Sequence, residues 1–383
     1  MEPLKGDAVE RMSIGTLDEP DEAAAARRKQ RFRVAAGACA LLFAATLALR
    51  VAAARPRAPT TDEWALDWDL AAELRAATAV AGGALAPLAV ARSTYTGGCL
   101  VLEAPRTAPP AAVEGDPFAA DALDSALVVR PAVFGGYALV LNKFPAFADH
   151  ALLITAAAVP QVRRLDRDDL DALHRCASAA RGLGFYNSDA TAGASQPHRH
   201  FQIVPGSSFV GEGWDEARPP ISRDIEALPR DPWRWSGRVP FRPVAQTLPR
   251  LAGVAHGVVL LPPRATFRVA RGRRPSLTSA AATHRLIRAQ DFSTDGAFAD
   301  ALLRAYALLL HNLDLLNGES HNLLVGRGWL LVVARRAREA SGVDVNALGF
   351  AGCLLARDAA TFESLLAPGA CGEVLRGVAA AAS

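Results

Sequence analysis

The sequence predicts an α+β domain, a sheet with helices packed on it, preceded by an N-terminal extension of different composition. Three observations carry this reading. Apolar runs of strand length recur at 126–142, 151–156, 198–204 and 323–333; apolar residues repeat at helical spacing over 165–183 and 298–315; and the composition changes near residue 60. Strands and helices alternate without a regular order, and no internal repeat is evident.

The extension comes first. Residues 1–22 are acidic and polar, 27–33 form a basic cluster, and 34–54 are apolar with one interruption at Arg50. A bilayer span needs about 20 apolar residues, so this alanine-rich run is marginal. It suits a signal-anchor helix with its basic flank in the cytoplasm, a targeting segment, or a plain alanine-rich extension. Localisation follows from that choice: membrane-associated through 34–54, organelle-targeted, or otherwise cytoplasmic. Arg55-Pro56-Arg57-Ala58-Pro59 reads as a linker, which closes an N-terminal unit at 1–60.

The remainder, 61–383, reads as one catalytic domain. Trp64, Leu66, Trp68, Leu70 and Leu74 predict an opening amphipathic helix over 62–81, ended by Gly82-Gly83. The Pro/Ala-rich stretch 104–117 is a loop, and strands follow at 126–142 and 151–156. Leu170, Leu173, Cys176, Ala177 and Ala180 place a helix over 165–183 against the sheet. A nucleophile-bearing part, 61–205, gives way to a variable insert, 206–290, rich in Pro, Arg and Trp. The C-terminal part, 291–383, holds the second long helix and strands at Leu323–Val325 and Trp329–Val333, with a closing helix over 359–382.

Bulk composition narrows the function. Lys and Arg number 42 against 39 Asp and Glu, a net charge of +3, which argues against nucleic acid or an anionic surface as the main partner. The five cysteines, Cys39, Cys99, Cys176, Cys353 and Cys371, form no C-x-x-C pair. That excludes a disulfide framework and a zinc knuckle, and fits a reducing compartment.

The chemistry concentrates in one segment. On a strand, His198, His200 and Gln202 emerge on one face, while Arg199, Phe201 and Ile203 face the other way. Just ahead, Gly193, Ala194, Ser195 and Gln196 make a turn that offers N–H groups, a hydroxyl and an amide to phosphate oxygens. Two imidazoles so placed suit a metal, an acid/base pair, or a nucleophile with its helper. A structural metal needs about four ligands, and the neighbouring sequence supplies none, so no metal site is expected. Attack of a neutral imidazole on an α-phosphorus, giving a phosphoramidate, uses every group in the segment.

The stretch from Asn187 to Gln202 resembles the signature N-S/G-x4-G-A-S-Q-P-H-K-H-x-Q of the diadenosine tetraphosphate phosphorylases, or ATP adenylyltransferases, of the histidine-triad-like superfamily, with Arg199 in place of lysine. Further ordered matches are Gly83-Ala84-Leu85-Ala86-Pro87-Leu88, Asp116-Pro117-Phe118, Leu141-Asn142-Lys143-Phe144-Pro145, Asp149-His150, Ser320-His321-Asn322-Leu323-Leu324, and 345–352, Val-Asn-Ala-Leu-Gly-Phe-Ala-Gly.

The resemblance implies a histidine-triad-like antiparallel sheet with flanking helices. It implies phosphorolysis of diadenosine tetraphosphate to ATP and ADP, with His200 as the nucleophile that takes AMP and His198 and Gln202 steadying it. Lys143, Asn187, Ser188, Gly193, Ala194, Ser195 and Gln196 would bind polyphosphate, and Ser320, His321 and Asn322 would bind nucleotide. A third histidine at the position of Gln202 goes with hydrolases, glutamine with transferases. The implied partners are dinucleoside polyphosphate, ATP, ADP and phosphate. A divalent cation such as Mg²⁺ travels with the nucleotide, and no tightly bound cofactor is implied.

Three departures stand out: residues 99–105 lack the family's basic residues, His321 replaces a tyrosine, and Ala334-Arg335-Arg336 stands where the family has P-R-S. They keep two alternatives open, a transferase acting on a nucleotide sugar and a membrane-tethered nucleotide-binding protein without turnover. His150 reads as structural; His174, His256, His284 and His311 read as surface or core. Trp233 and Trp235 read as packing of the insert, and 271–274 as a solvated basic loop.

Overall fold

The computed structural model describes residues 68–86, 90–104, 115–119, 121–229, 245–262 and 294–382. These all lie in the compact unit that begins at Pro56. The readings for 1–60, including 34–54, and those for Trp233, Trp235, 271–274 and His284 fall outside the described residues. Among the described residues no helix is long and apolar enough to cross a membrane.

The opening helix, α1 (Leu70–Ala81), is capped by the Asp69 carboxylate, which accepts from the Ala72 N–H at 3.1 Å. Leu70 and Leu74, one turn apart, are fully enclosed. Their burial contributes about 2 kcal/mol each, which a helix of 12 residues needs because it is marginal alone. Gly82, at φ +49° and ψ −125°, ends the helix in a conformation that a side chain resists.

Nine strands form the main sheet: β3 (Val128–Val133), β4 (Tyr137–Leu141), β5 (Ala151–Thr155), β6 (Leu183–Asn187), β7 (His200–Val204), β8 (Ala245–Gln246), β9 (His256–Leu260), β10 (His321–Gly326) and β11 (Trp329–Ala334). Their spatial order is β3-β4-β5-β7-β6-β10-β11-β9-β8, every pair antiparallel. A smaller sheet pairs β1 (Arg92–Thr96) with β2 (Cys99–Glu103) and lays β14 (Cys353–Ala356) parallel to β2. A short hairpin, β12 (Glu339–Ala340) with β13 (Val343–Asp344), completes the strands.

The strand alternation sorts residues into layers. Tyr137, Leu153, Phe201, Ile203, Leu323 and Val332 face one side, where they pack on α1, on α2 (Arg167–Ala179) and on α4 (Thr294–Asn312); the short α3 (Ile221–Glu226) lies in the other layer. On the opposite side Phe185, Val204, Leu324, Leu331 and Val333 meet the small sheet and three C-terminal helices, α5 (Ala347–Phe350), α6 (Ala359–Leu365) and α7 (Ala370–Val378). That second layer covers β6, β10, β11 and β9. Over β4 and β5, among the described residues, only Phe118, Leu123 and Val128 pack on Ala138, Val140, Leu152 and Ile154. Between these two coverings the described residues leave a cavity on the sheet face, bordered by His200 and Gln202.

Two boundaries differ from the sequence reading. The closing segment 359–382 is two helices, because Pro368 cannot continue α6 and Gly369, at φ +84°, starts α7 on a new axis. The histidine strand begins at His200; His198 precedes it and makes an isolated bridge with Pro160. At the top of β7 the Gln161 side chain takes the place of a strand partner. It accepts from the His200 N–H at 2.9 Å and donates to the Asn187 carbonyl at 2.7 Å.

Candidate active site

β7 is anchored from its helix-facing side. Arg199 Nη1 donates to Asp169 Oδ2 at 2.6 Å, both groups being buried, and Tyr137 donates to Asp169 Oδ1 at 2.8 Å. Asp169 stands in the first turn of α2, inside a capping box with Asp166. Burial raises the Asp169 pKa and the arginine opposes it. The helix N-terminus and the guanidinium thus fix which face of β7 turns toward the opening.

On that opening face His200 has its tautomer set. Its Nδ1 lies 2.9 Å from the backbone oxygen of His198, which can only accept, so Nδ1 carries the hydrogen. Nε2 is left with its lone pair and has no protein hydrogen bond among the described residues. Burial lowers the pKa of His200; the bond to the His198 carbonyl opposes this, and the nearby His198 ring adds to it. A neutral ring with one bare nitrogen has the lone pair that nucleophilic chemistry requires.

The cavity beside it measures about 1050 Å³ and is bordered by His200, Gln202, His150, Lys143 and the turn Gly193-Ala194-Ser195-Gln196. Gly193 shapes that turn at φ +98°, and an added Cβ would lie 2.7 Å from Cβ of Asn346. Phe118 covers the histidine pair, its ring 5.8 Å from that of His198 and 5.4 Å from that of His200. His150, read as structural from sequence, lies against the cavity. Its Nδ1 accepts from the Ala146 N–H at 3.4 Å, and burial pulls its pKa down to about 4 against the influence of Gln202.

The other residues assigned to binding sit elsewhere. Asn187 and Asn322 are enclosed, and Asn322 Nδ2 donates to Asn187 Oδ1 and to the Ala192 carbonyl, both at 2.8 Å. Asn187 Oδ1 also accepts from the Ala347 N–H at 3.0 Å. Ser188 Oγ accepts from the His321 N–H at 2.8 Å, Ser320 donates to Asp189, and His321 Nε2 lies 2.7 Å from the Tyr306 hydroxyl. None of these five borders the cavity; the hydrogen bonds they make run to other parts of the protein, around the 189–196 segment, and only Nδ2 of Asn187 has no partner among the described residues. The His198 ring does not border it either, being turned toward Asp116 and Thr155.

Sequence reasoning missed several contributors. Arg338, Asp344, Asn346 and Arg357 reach the cavity from a part of the chain about 150 residues away. Arg338 Nε lies 3.2 Å from Asp344 Oδ1, and Arg357 pairs with the other carboxylate oxygen. The two guanidiniums share one carboxylate there, and Arg357 follows the strand β14 that pairs with β2, at 99–103, where basic residues are lacking. Among the described residues no group of three or more His, Cys, Asp and Glu could hold a metal ion.

Comparison with known proteins agrees with this geometry. The profile of the Ap4A phosphorylase N-terminal domain matches residues 106–220, and that of the ATP adenylyltransferase C-terminal domain matches 275–381, together more than half of the chain. Diadenosine 5',5'''-P1,P4-tetraphosphate phosphorylase 2 of Saccharomyces cerevisiae is 25% identical over 283 residues, 65% of this chain and 71% of the yeast protein. The crystal structure of yeast Ap4A phosphorylase Apa2 superposes with a TM-score of 0.59 at 22% identity, over 82% of this chain and 98% of that one. Its complex with Ap4A gives 0.59 at 21%, over 83% and 99%. The fold is therefore the histidine-triad-like sheet with flanking helices, and the chain belongs to the ATP adenylyltransferase (Ap4A phosphorylase) family of nucleotidyltransferases.

Proposed function

We propose that this enzyme cleaves diadenosine tetraphosphate with phosphate to give ATP and ADP, through an AMP adduct on Nε2 of His200. The observation that carries this is the hydrogen bond from His200 Nδ1 to the His198 carbonyl, which leaves Nε2 bare beside the cavity. In the first step the Nε2 lone pair bonds to the α-phosphorus of one AMP unit. The bond from that phosphorus to the bridging oxygen breaks, and its electron pair leaves with ATP. The imidazole becomes cationic, and the His198 carbonyl stabilises the charge through Nδ1–H. In the second step a phosphate oxygen attacks the adduct, the P–N bond breaks, its pair returns to Nε2, and ADP departs.

The cavity volume, at the upper end of the usual range of about 300–1,000 Å³, suits a substrate with two nucleosides. The N–H groups of 193–196 and Lys143 are assigned to the phosphoryl group in transfer. Arg338 and Arg357 are assigned to the distal phosphates and to the incoming phosphate, in place of the basic residues absent from 99–105. The one carboxylate between them, Asp344, is already engaged by both. A divalent ion is assigned to the polyphosphate and enters as part of the substrate.

The test incubates the full chain with diadenosine tetraphosphate, Mg²⁺ and phosphate, beside His200→Ala. ATP and ADP formed only with phosphate, with acid-labile and base-stable AMP on wild type alone, is the expected result. Equal label on both proteins sinks the covalent route. Tight nucleotide binding without turnover would point to a nucleotide-sugar substrate or to a binding protein.

A further inference from the structure

We propose that Asp116 and Thr155 hold His198 as a doubly protonated imidazolium, and that this pinned cation is a positioning residue for His200. Nδ1 of His198 lies 2.5 Å from Asp116 Oδ2. Nε2 lies 2.8 Å from the Thr155 carbonyl and 3.0 Å from Thr155 Oγ1. A carboxylate and a carbonyl only accept. The single hydroxyl hydrogen of Thr155 goes to the Ala157 carbonyl at 2.8 Å, so toward the ring that oxygen offers a lone pair. Both ring nitrogens therefore face acceptors alone, and a neutral imidazole would leave one of them lone pair to lone pair with a buried oxygen.

The surroundings agree. Asp116 is itself held, since its Oδ1 accepts from the Phe118 N–H at 2.9 Å. Burial pushes the Asp116 carboxyl up, but the bonds from His198 and from the Phe118 N–H outweigh it and keep the carboxyl below its ordinary value. Among the described residues no other acid or base bonds to the His198 ring: Arg199, next in the chain, runs to Asp169 on the opposite face of the sheet. The His200 ring lies within electrostatic reach of His198, and Phe118 lies edge-on to His198 at 87°.

The side chain and the backbone of His198 do separate work. With its ring tied at both nitrogens, its carbonyl is fixed, and that carbonyl sets the tautomer of His200. The ring does not reach the cavity, so it acts through His200: by aiming Nδ1–H, and by opposing protonation of His200 with its own charge. Asp116 comes from a loop 82 residues before the histidine it holds, and closes over it with Phe118.

The test uses the full chain with isotopically labelled histidine. The nitrogen–proton ring correlation of His198 is assigned by its loss in His198→Gln. At neutral pH we expect both ring nitrogens to carry hydrogen in wild type, and a single-tautomer neutral ring in Asp116→Asn. In kinetics Asp116→Asn should lower kcat about tenfold with KM for the dinucleotide within about twofold. The acid limb of its pH profile should move to higher pH, because His200 loses a cationic neighbour. A wild-type ring with one bare nitrogen overturns the proposal without any variant. A ring still doubly protonated in Asp116→Asn, or a kcat unchanged there, overturns the part given to Asp116. The kinetic arm rests on His200 as nucleophile. If wild type shows no phosphorolysis, that functional reading falls, while the ring spectrum still decides the charge on His198.

Discussion

Arg335 Nη1 donates to Asn322 Oδ1 at 2.6 Å, with both side chains buried between β10–β11 and the C-terminal layer. The same guanidinium donates to the carbonyls of Ala337 at 2.7 Å, Val345 at 2.8 Å and Ala192 at 3.2 Å. Burial lowers its pKa only to about 10, so it stays charged at neutral pH. One cation thus ties the 189–196 segment to the segment that carries Asn346. Removing it leaves several buried acceptors without donors, at about 1–3 kcal/mol each. Arg335→Met should lower unfolding stability by about 3 kcal/mol or more in urea titrations. Arg335→Lys should recover less than half of that, since an ammonium cannot span four acceptors. A loss below about 1 kcal/mol would show the network to be dispensable.

Gly193→Ala separates geometry from stability. The new Cβ would meet Cβ of Asn346 at 2.7 Å on a backbone at φ +98°, so the turn must move or strain by about 1–3 kcal/mol. Because the turn borders the cavity while its supports lie behind it, turnover should fall about tenfold or more with a melting temperature lower by only a few degrees. Unchanged kcat would remove the turn from the phosphoryl site.

How much of this was legible follows from range along the chain. The strand face with His200 and Gln202, the two long helices and the 193–196 turn depend on periodicity over a few residues, and they read out directly. The roles of Asn187, Ser188, Ser320, His321 and Asn322 did not, because a polar residue near a motif looks the same whether it faces substrate or bonds to its own fold. Only the pairing of β6 with β10, 135 residues apart at Asn187 and Asn322, decides it. Asp116 was visible within a motif, but its partner His198 was not, for the same reason. Arg338 and Arg357 carry no local pattern at all; their convergence on Asp344 is a product of the tertiary fold.

That convergence yields a kinetic prediction. If Arg338 and Arg357 receive phosphate, each replaced by alanine should raise KM for phosphate about tenfold and leave kcat nearly intact, as expected for uniform binding. Both side chains are substantially exposed, so stability should change little. A KM unaffected in the double variant would return the phosphate site to Lys143 and the turn.

Gln202 borders the cavity beside His200 and His150. An amide can steady a phosphoryl oxygen, yet it neither takes nor gives a proton at neutral pH. Gln202→His would place such a group against the adduct. The share of AMP released to water, measured as AMP against ADP at fixed phosphate, should rise about tenfold. An unaltered ratio would mean that the choice between phosphate and water is made elsewhere.

Acid sensitivity should appear above the carboxylate range, and His150 gives the clearest sign. Its folded pKa is about 4, pulled down by burial, against about 6.5 when unfolded. The unfolded chain therefore binds the extra proton first. His150 contributes stability that is fully present above about pH 6.5 and lost as pH falls toward about 4, worth roughly 3 kcal/mol. His200, His256 and His321 are lowered by burial as well and add in the same direction. His256 shows why: Nδ1 gives its hydrogen to the Val254 carbonyl at 2.8 Å, and Nε2 accepts the Leu248 N–H at 2.7 Å, leaving no place for another proton. The depressed carboxyls, Asp116, Glu73, Glu216, Glu319 and Asp358, change stability only below about pH 4. Unfolding free energy measured by urea titration should fall between pH 7 and 5, before those carboxyls respond, and His150→Gln should flatten that slope. A slope equal in wild type and variant would place the acid sensitivity on the other histidines.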